Sequence, residues 1–149
     1  MTEIKSGAER LLHTMIRVKN LDRSLEFYCD KMGMKKLRSL DFPGARFSLV
    51  YLGYASDRDH AVLELTYNWD ESEEYTHGSG YGHIGIGVNG LAGFCDALAE
   101  RGVNILRPAG EMMNSGIHIA FIEDPDGYKI ELIEMPFPPQ NMGEQTTFE

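Results

Sequence analysis

Two glutamates, Glu64 and Glu131, stand in runs that otherwise read as buried strands, Ala61-Val62-Leu63-Glu64-Leu65-Thr66 and Lys129-Ile130-Glu131-Leu132-Ile133. A carboxylate among apolar neighbours needs a metal, a cation or a proton, because burying it bare is costly. A salt bridge or an exposed strand face would explain either one alone. Each, however, is matched by a histidine at the head of an earlier strand-like run. His13 opens HTMIRVKNL and His83 opens HIGIGVNGL. By strand alternation His13 shares a face with Met15 and Arg17, and His83 with Gly85 and Gly87. Glu64 shares a face with Val62, Thr66 and Asn68. The two glycines leave room for something bulky against their strand. Two imidazoles and two carboxylates at matched positions point to metal ligation. Such a set suits Ni²⁺, Co²⁺ or Zn²⁺ and suits Ca²⁺ or an iron–sulfur cluster poorly. His60, His77 and His118 have no counterpart and read as ordinary residues.

The elements that must carry these residues repeat. The run Arg10 to Val18 reads as a strand, followed by a helix with Leu21, Leu25, Tyr28 and Met32 on its apolar stripe and Gly33 as its stop. Asn20 and Asp22 offer capping side chains. Met34 to Ser39 is strand-like, Asp41-Phe42-Pro43-Gly44 is turn chemistry, and Arg46 to Leu52 with Ala61 to Asn68 reads as a hairpin. After an acidic connector the pattern restarts. Gly82 to Val88 is a strand, and Leu91, Phe94, Cys95 and Leu98 mark a helix closed by Gly102. Val103 to Arg107 is a strand, Pro108 to Gly116 a loop. Ala120 to Glu134 is then a hairpin turned at Asp124-Pro125-Asp126-Gly127. His83 follows His13 by 70 positions (83 − 13), and Glu131 follows Glu64 by 67 (131 − 64). Two βαβββ modules are expected, at 10–69 and 81–135. An arm precedes them at 1–9, a connector joins them at 70–80, and a tail follows at 136–149. The fold class is α+β, with two modules pairing as curved mixed sheets and helices outside.

Composition narrows the function. The chain has 149 residues, 42% of them hydrophobic, and a net charge of −9. With no basic run, nucleic acid is not an expected partner. No apolar stretch approaches membrane-spanning length, and the N-terminus is not signal-like. Cys29 and Cys95 both fall in helical segments and read as free thiols in a reducing setting. A cytoplasmic enzyme is the expectation.

The segments LLHTMIRV, DFPGARFSLVYLGY, LELTYNW, YGHIGIGV and AFIEDPDGYKIELIE together make the chain resemble glyoxalase I (lactoylglutathione lyase), of the vicinal oxygen chelate superfamily. The resemblance runs from Leu11 to Glu134. It implies isomerisation of the methylglyoxal–glutathione hemithioacetal to S-D-lactoylglutathione through an enediolate. It also implies His13, Glu64, His83 and Glu131 as metal ligands, Glu131 as the main base, and Glu64 as a ligand and second base. Lacking a long insertion and carrying histidine at the first ligand position, the chain resembles the short, nickel-preferring type. Co²⁺ or Zn²⁺ remains an alternative. In that family the site lies across a homodimer, His13 and Glu64 from one chain and His83 and Glu131 from the other; a monomer using all four of its own ligands is the alternative.

Substrate contacts follow from the same resemblance. Arg17 and Asn68 match positions that hold the γ-glutamyl end of glutathione, and Arg107 a basic position for the glycine carboxylate. Phe42, Phe47, Leu49, Tyr51 and Met113 are candidates for an apolar wall, with packing in the core as the alternative for each. Ser79 stands where some relatives carry a second arginine, which leaves trypanothione as a competing thiol. A methylmalonyl-CoA epimerase-like enolisation is the rival activity; that family typically has glutamine where Glu64 stands. An extradiol dioxygenase would leave Glu64 unexplained. A non-catalytic ligand-binding member of the superfamily would have lost the metal ligands.

Overall fold

The computed structural model describes residues 6–139. The expected arm therefore lies outside the described residues over 1–5, and the expected tail over 140–149; residues 6–9 carry no regular structure. The chain divides into two compact units, Met1–Tyr75 and Thr76–Glu149.

The first unit runs β1 (His13–Arg17), α1 (Leu21–Leu25), a π-helical turn (Glu26–Lys31), β2 (Lys35–Phe42), β3 (Phe47–Gly53) and β4 (Val62–Asn68). Its sheet has the order β1-β4-β3-β2, with β1 parallel to β4 and the other pairs antiparallel. The second unit runs β5 (Ile84–Val88), α2 (Leu91–Glu100), β6 (Ile105–Glu111), β7 (His118–Glu123) and β8 (Lys129–Glu134). Its order is β5-β8-β7-β6, with the same directions. Each unit is thus one βαβββ module, and its last strand sits between the first and the third.

That placement buries β4 and β8. In β4, Leu63 and Leu65 lie in register with Ile16, Val50 and Leu52, all nearly inaccessible. In β8, Ile130 and Leu132 pair with Ile86, Ala120 and Ile122, and Leu91, Cys95 and Leu98 are the buried residues of α2, which packs over β6, β7 and β8. Each such side chain contributes about 1.5–3 kcal/mol of burial. That is ample to fix which face of each strand turns inward, and a one-residue slip would turn Glu64 or Glu131 into the core.

Local chemistry differs from the sequence expectation in four places. The Asn20 side chain caps α1 at Arg23 N–H as expected, but the helix then widens. Met32 N–H bonds to the Phe27 carbonyl, five residues back. The wider turn shifts the apolar stripe, so Ser24, Phe27, Tyr28 and Met32 are buried while Leu21 and Leu25 are half-buried. Strand β2 runs into the expected turn, pairing Phe42 with Phe47, and the reversal moves to residues 43–46. Strand β6 runs through the expected loop to Glu111, with register breaks on both sides of Arg107. It is an edge strand, so the missing N–H of Pro108 costs no central ladder bond. Finally, His83 lies one residue ahead of β5.

Candidate active site

Each sheet has one face turned to the core and another that carries the candidate site residues. On β4 and its neighbours the second face is laid out in rows: Met15, Glu64, Tyr51 and Arg38 across one, then Arg17, Thr66, Leu49 and Leu40, then Asn68, Phe47 and Phe42. The second unit repeats the first row as Gly85, Glu131, Phe121 and Arg107. The alternation that sends Leu63, Leu65, Ile130 and Leu132 inward is what turns both glutamates to this side.

Within each unit the histidine meets its glutamate. His13 Nε2 stands 2.9 Å from Glu64 Oε2, and His83 Nε2 stands 2.9 Å from Glu131 Oε2. An aromatic ring is set edge-on to each imidazole: Tyr51 to His13 at 5.6 Å and 75°, Phe121 to His83 at 5.3 Å and 76°. Two lone-pair donors at this spacing fit neighbouring positions on one ion, since bonds of about 2.1 Å put adjacent ligands about 3 Å apart. Histidine nitrogen with carboxylate oxygen is also the donor chemistry that a borderline divalent ion prefers. Among the described residues no group of three or more His, Cys, Asp or Glu side chains could hold a metal ion; the donors stand as one His–Glu pair in each unit.

The surroundings differ between the units. Glu64 is buried, and its Oε1 accepts the Tyr51 hydroxyl at 3.0 Å. Burial, and then the Glu64 carboxylate, hold the Tyr51 phenol above its ordinary range. The Arg38 guanidinium lies 4.1 Å over the Tyr51 ring and bonds Asp57 at 2.8 Å. Glu131 is less covered, and a hollow of about 410 Å³ beside it is lined by Tyr81, Gly82, His83, Leu106, Arg107, Phe121 and Lys129. Arg107 donates to the carbonyls of Ile119 at 2.9 Å, Glu111 at 3.2 Å and Gly110 at 3.4 Å, which braces the β6 bulge.

Residues 10–132 match the profile of the Glyoxalase/Bleomycin resistance protein/Dioxygenase superfamily. The chain belongs to that superfamily. It is similar to the probable lactoylglutathione lyase of Synechocystis sp., 49% identical over 124 residues that cover 83% of this chain and 94% of the relative. It is equally similar to the lactoylglutathione lyase of Neisseria meningitidis, 50% identical over 125 residues covering 84% and 90%. Among solved structures it matches the trypanothione-dependent glyoxalase I of Leishmania major with a TM-score of 0.75 and 44% identity, over 85% of this chain and 87% of that one.

In this glyoxalase-superfamily chain, several expected residues gather. Phe42 stacks on Phe47 at 4.6 Å, and Leu49 lies one row nearer Glu64. Arg17, exposed, ends β1 beside Thr66, and Asn68 donates to the Tyr75 hydroxyl at 3.0 Å. Met113 belongs to the second unit, where it sits in the β6–β7 turn with φ +49 and is 66% exposed. Gly87 has its bulky neighbour, but this is the chain's own Met135, whose sulfur lies 2.6 Å from where a Cβ would be; Gly85 meets only Ile133, at an ordinary 3.8 Å. Sequence reasoning missed Arg38, Phe121 and Lys129. Strand alternation puts Lys129 on the face of Glu131, and the repeat lays Arg38 over Arg107. Both signals were legible. The hydroxyl role of Tyr51 was not, because an aromatic in a strand reads as apolar wall. Among the described residues no helix is long and apolar enough to cross a membrane.

Proposed function

We propose that this chain is a lactoylglutathione lyase, which isomerises the hemithioacetal of methylglyoxal and glutathione to S-D-lactoylglutathione in methylglyoxal detoxification. The observation that carries this reading is the His–Glu contact, repeated at 2.9 Å with each glutamate on the equivalent row of its sheet. About half of the residues are identical to those of enzymes bearing that name. His13 and Glu64 of one copy, with His83 and Glu131 of a second, form the ligand set of a cytoplasmic homodimer. A divalent ion held there, Ni²⁺ in preference to Co²⁺ or Zn²⁺, supplies a Lewis acid that makes a C–H beside a carbonyl acidic enough to ionise.

The chain's own residues do the rest. Glu131, the more accessible carboxylate, takes the proton from one carbon and returns it to the next. Phe42, Phe47 and Leu49 wall the small aldehyde substituent. Arg17 and Asn68 hold the γ-glutamyl end of the thiol. Arg107 and Lys129, which line one hollow with His83, draw the glycine carboxylate to a surface whose net charge of −9 repels anions at long range. The rival epimerase reading leaves the carboxylate of Glu64 without a role, and a binding-only member would not need either pair.

A second thiol is favoured by one observation, the similarity to a trypanothione-dependent glyoxalase I. Mixing the protein with Ni²⁺, methylglyoxal and either thiol tests both readings. Growth of the thioester absorbance with glutathione is expected. Growth with trypanothione alone would transfer the assignment to that carrier, and no thioester with either would overturn the lyase.

A further inference from the structure

The two half-sites share one layout around the glutamate and differ by a single atom on the ring beside it. Tyr51 lies in register with Glu64, and Phe121 lies in register with Glu131. Both rings stand edge-on to their histidine, at 5.6 and 5.3 Å. Both have an arginine as the next residue in the row, Arg38 and Arg107. Only Tyr51 carries a hydroxyl, and that hydroxyl donates to Glu64 Oε1 while Oε2 faces His13. Both oxygens of Glu64 are therefore engaged. Among the described residues no hydroxyl takes the corresponding place beside Glu131, whose Oε2 faces His83. The Tyr51 ring is itself held, under the Arg38 guanidinium at 4.1 Å, and Arg38 is anchored to Asp57 at 2.8 Å.

We infer that Tyr51 is a positioning residue that commits one oxygen of Glu64, and so breaks the chemical equivalence of the duplicated pair. Resting on the lyase reading, this assigns a cause to the division of labour. Glu64 offers a single oriented oxygen and stays a fixed ligand, whereas Glu131 keeps an uncommitted oxygen with which to carry a proton. A hydrogen bond to the outer oxygen of a ligating carboxylate fixes its orientation, and losing such a partner typically weakens metal affinity about 10–100-fold. The repeat supplies its own control, because Phe121 shows what the row looks like without the hydroxyl.

The experiment exchanges that one atom in both directions, in the full-length protein loaded with Co²⁺ or Ni²⁺. Tyr51→Phe should weaken metal affinity about ten-fold or more in chelator competition and shift the visible bands of the Co²⁺ form. Phe121→Tyr should keep metal affinity but lower kcat about 10–100-fold at nearly constant KM, since the new hydroxyl engages the uncommitted oxygen of Glu131. Wild-type affinity and bands in Tyr51→Phe, or wild-type kcat in Phe121→Tyr, would overturn the assignment. If the wild-type protein binds metal and converts no hemithioacetal, the lyase reading fails by itself, and the affinity and Co²⁺ bands of Tyr51→Phe still decide the role of Tyr51. Should Tyr51→Phe fail to fold, Phe121→Tyr decides by the same criteria.

Discussion

The carboxylate of Glu134 accepts the backbone N–H of Leu91 at 2.6 Å and that of Gly90 at 3.1 Å. Helix α2 begins at Leu91 after Gly90, whose φ of +72 brings no capping side chain. The first N–H groups of a helix have no partner of their own, and an anion there is doubly favoured. The last residue of β8 thus caps a helix more than forty positions earlier, and the cap also ties β8 to the helix that covers it.

Glu134→Ala should accordingly cost about 1–2 kcal/mol, seen as a fall in Tm of about 2–8 °C. An unchanged Tm would remove the cap from the account.

A tighter device holds the turn after β7. Asp124, 4% exposed, accepts the N–H groups of Asp126 and Tyr128, each at 2.9 Å, while Gly127 takes φ +84. Asp124→Ala leaves both donors without their acceptor. It should destabilise by about 2–3 kcal/mol, read from denaturant midpoints. A loss below about 0.5 kcal/mol would mean that proline and glycine alone make the turn.

Acid should expose a surface pair. Arg46, at the end of the β2–β3 turn, bonds both oxygens of Asp70, and that hydrogen bonding, followed by its charge, holds the Asp70 carboxyl below its ordinary range. A lowered folded-state value means that stabilisation is present above the unfolded value, about 3.9, and is lost as pH falls through the folded value. Asp70→Asn should therefore melt below wild type at pH 6 and converge with it towards pH 3. The gap at pH 6 should shrink in high salt. Parallel curves at every pH would contradict this.

The four proposed ligands give a graded expectation. Removing any one of His13, Glu64, His83 and Glu131 should cost metal affinity and nearly all turnover, with Glu131→Gln losing turnover out of proportion to metal. Chelation should abolish activity, and Ni²⁺ or Co²⁺ should restore it better than Zn²⁺. Retention of both metal and turnover in Glu131→Gln would reassign the base. Equal rescue by Zn²⁺ would reassign the metal.

Both arginines should matter to the thiol. Arg17→Ala should raise KM for the thiol adduct about 10–100-fold, the signature of one charge-assisted contact. Arg107→Ala should raise KM and also lower Tm, because three backbone carbonyls lose their donor with it. An unchanged KM in both would remove the anionic thiol from this surface.

Much of this was legible in the sequence because the repeat puts every signal on the page twice. Period-two alternation in VLELT and KIELI set the inward and outward faces, and each histidine comes within 2.9 Å of its glutamate. A local pattern also marked the C-terminal end of α2. Gly102, at φ +81, lets Val103 N–H reach the Leu98 carbonyl and Gly102 N–H the Ala99 carbonyl. What escaped were contacts that depend on tertiary approach. The N-terminal cap of α2 comes from another element, and the widened turn at Phe27 to Met32 follows no simple residue signal. The extension of β6 past Pro108 depended on its being an edge. Tyr51 and Phe121 look interchangeable until the distance from the phenol to Glu64 is known.

One feature of the strand order bears on how the protein is made. In each sheet the final strand lies between the first and third, so β1 meets no partner until Val62 and its neighbours arrive beside it. A nascent chain leaving the ribosome must therefore hold β2 and β3 as a hairpin, with β1 loose, until β4 emerges and slots between them. While it waits, β3 presents an unpaired edge containing Val50 and Leu52, the kind of edge that invites pairing with another chain. Once Asn68 is out, the first sheet can close with nothing of the second yet synthesised, since all of its strands come from its own stretch of chain. Messages truncated between Gly53 and Val62 should yield the most aggregation-prone fragments, and those ending beyond Tyr75 should already contain a finished unit.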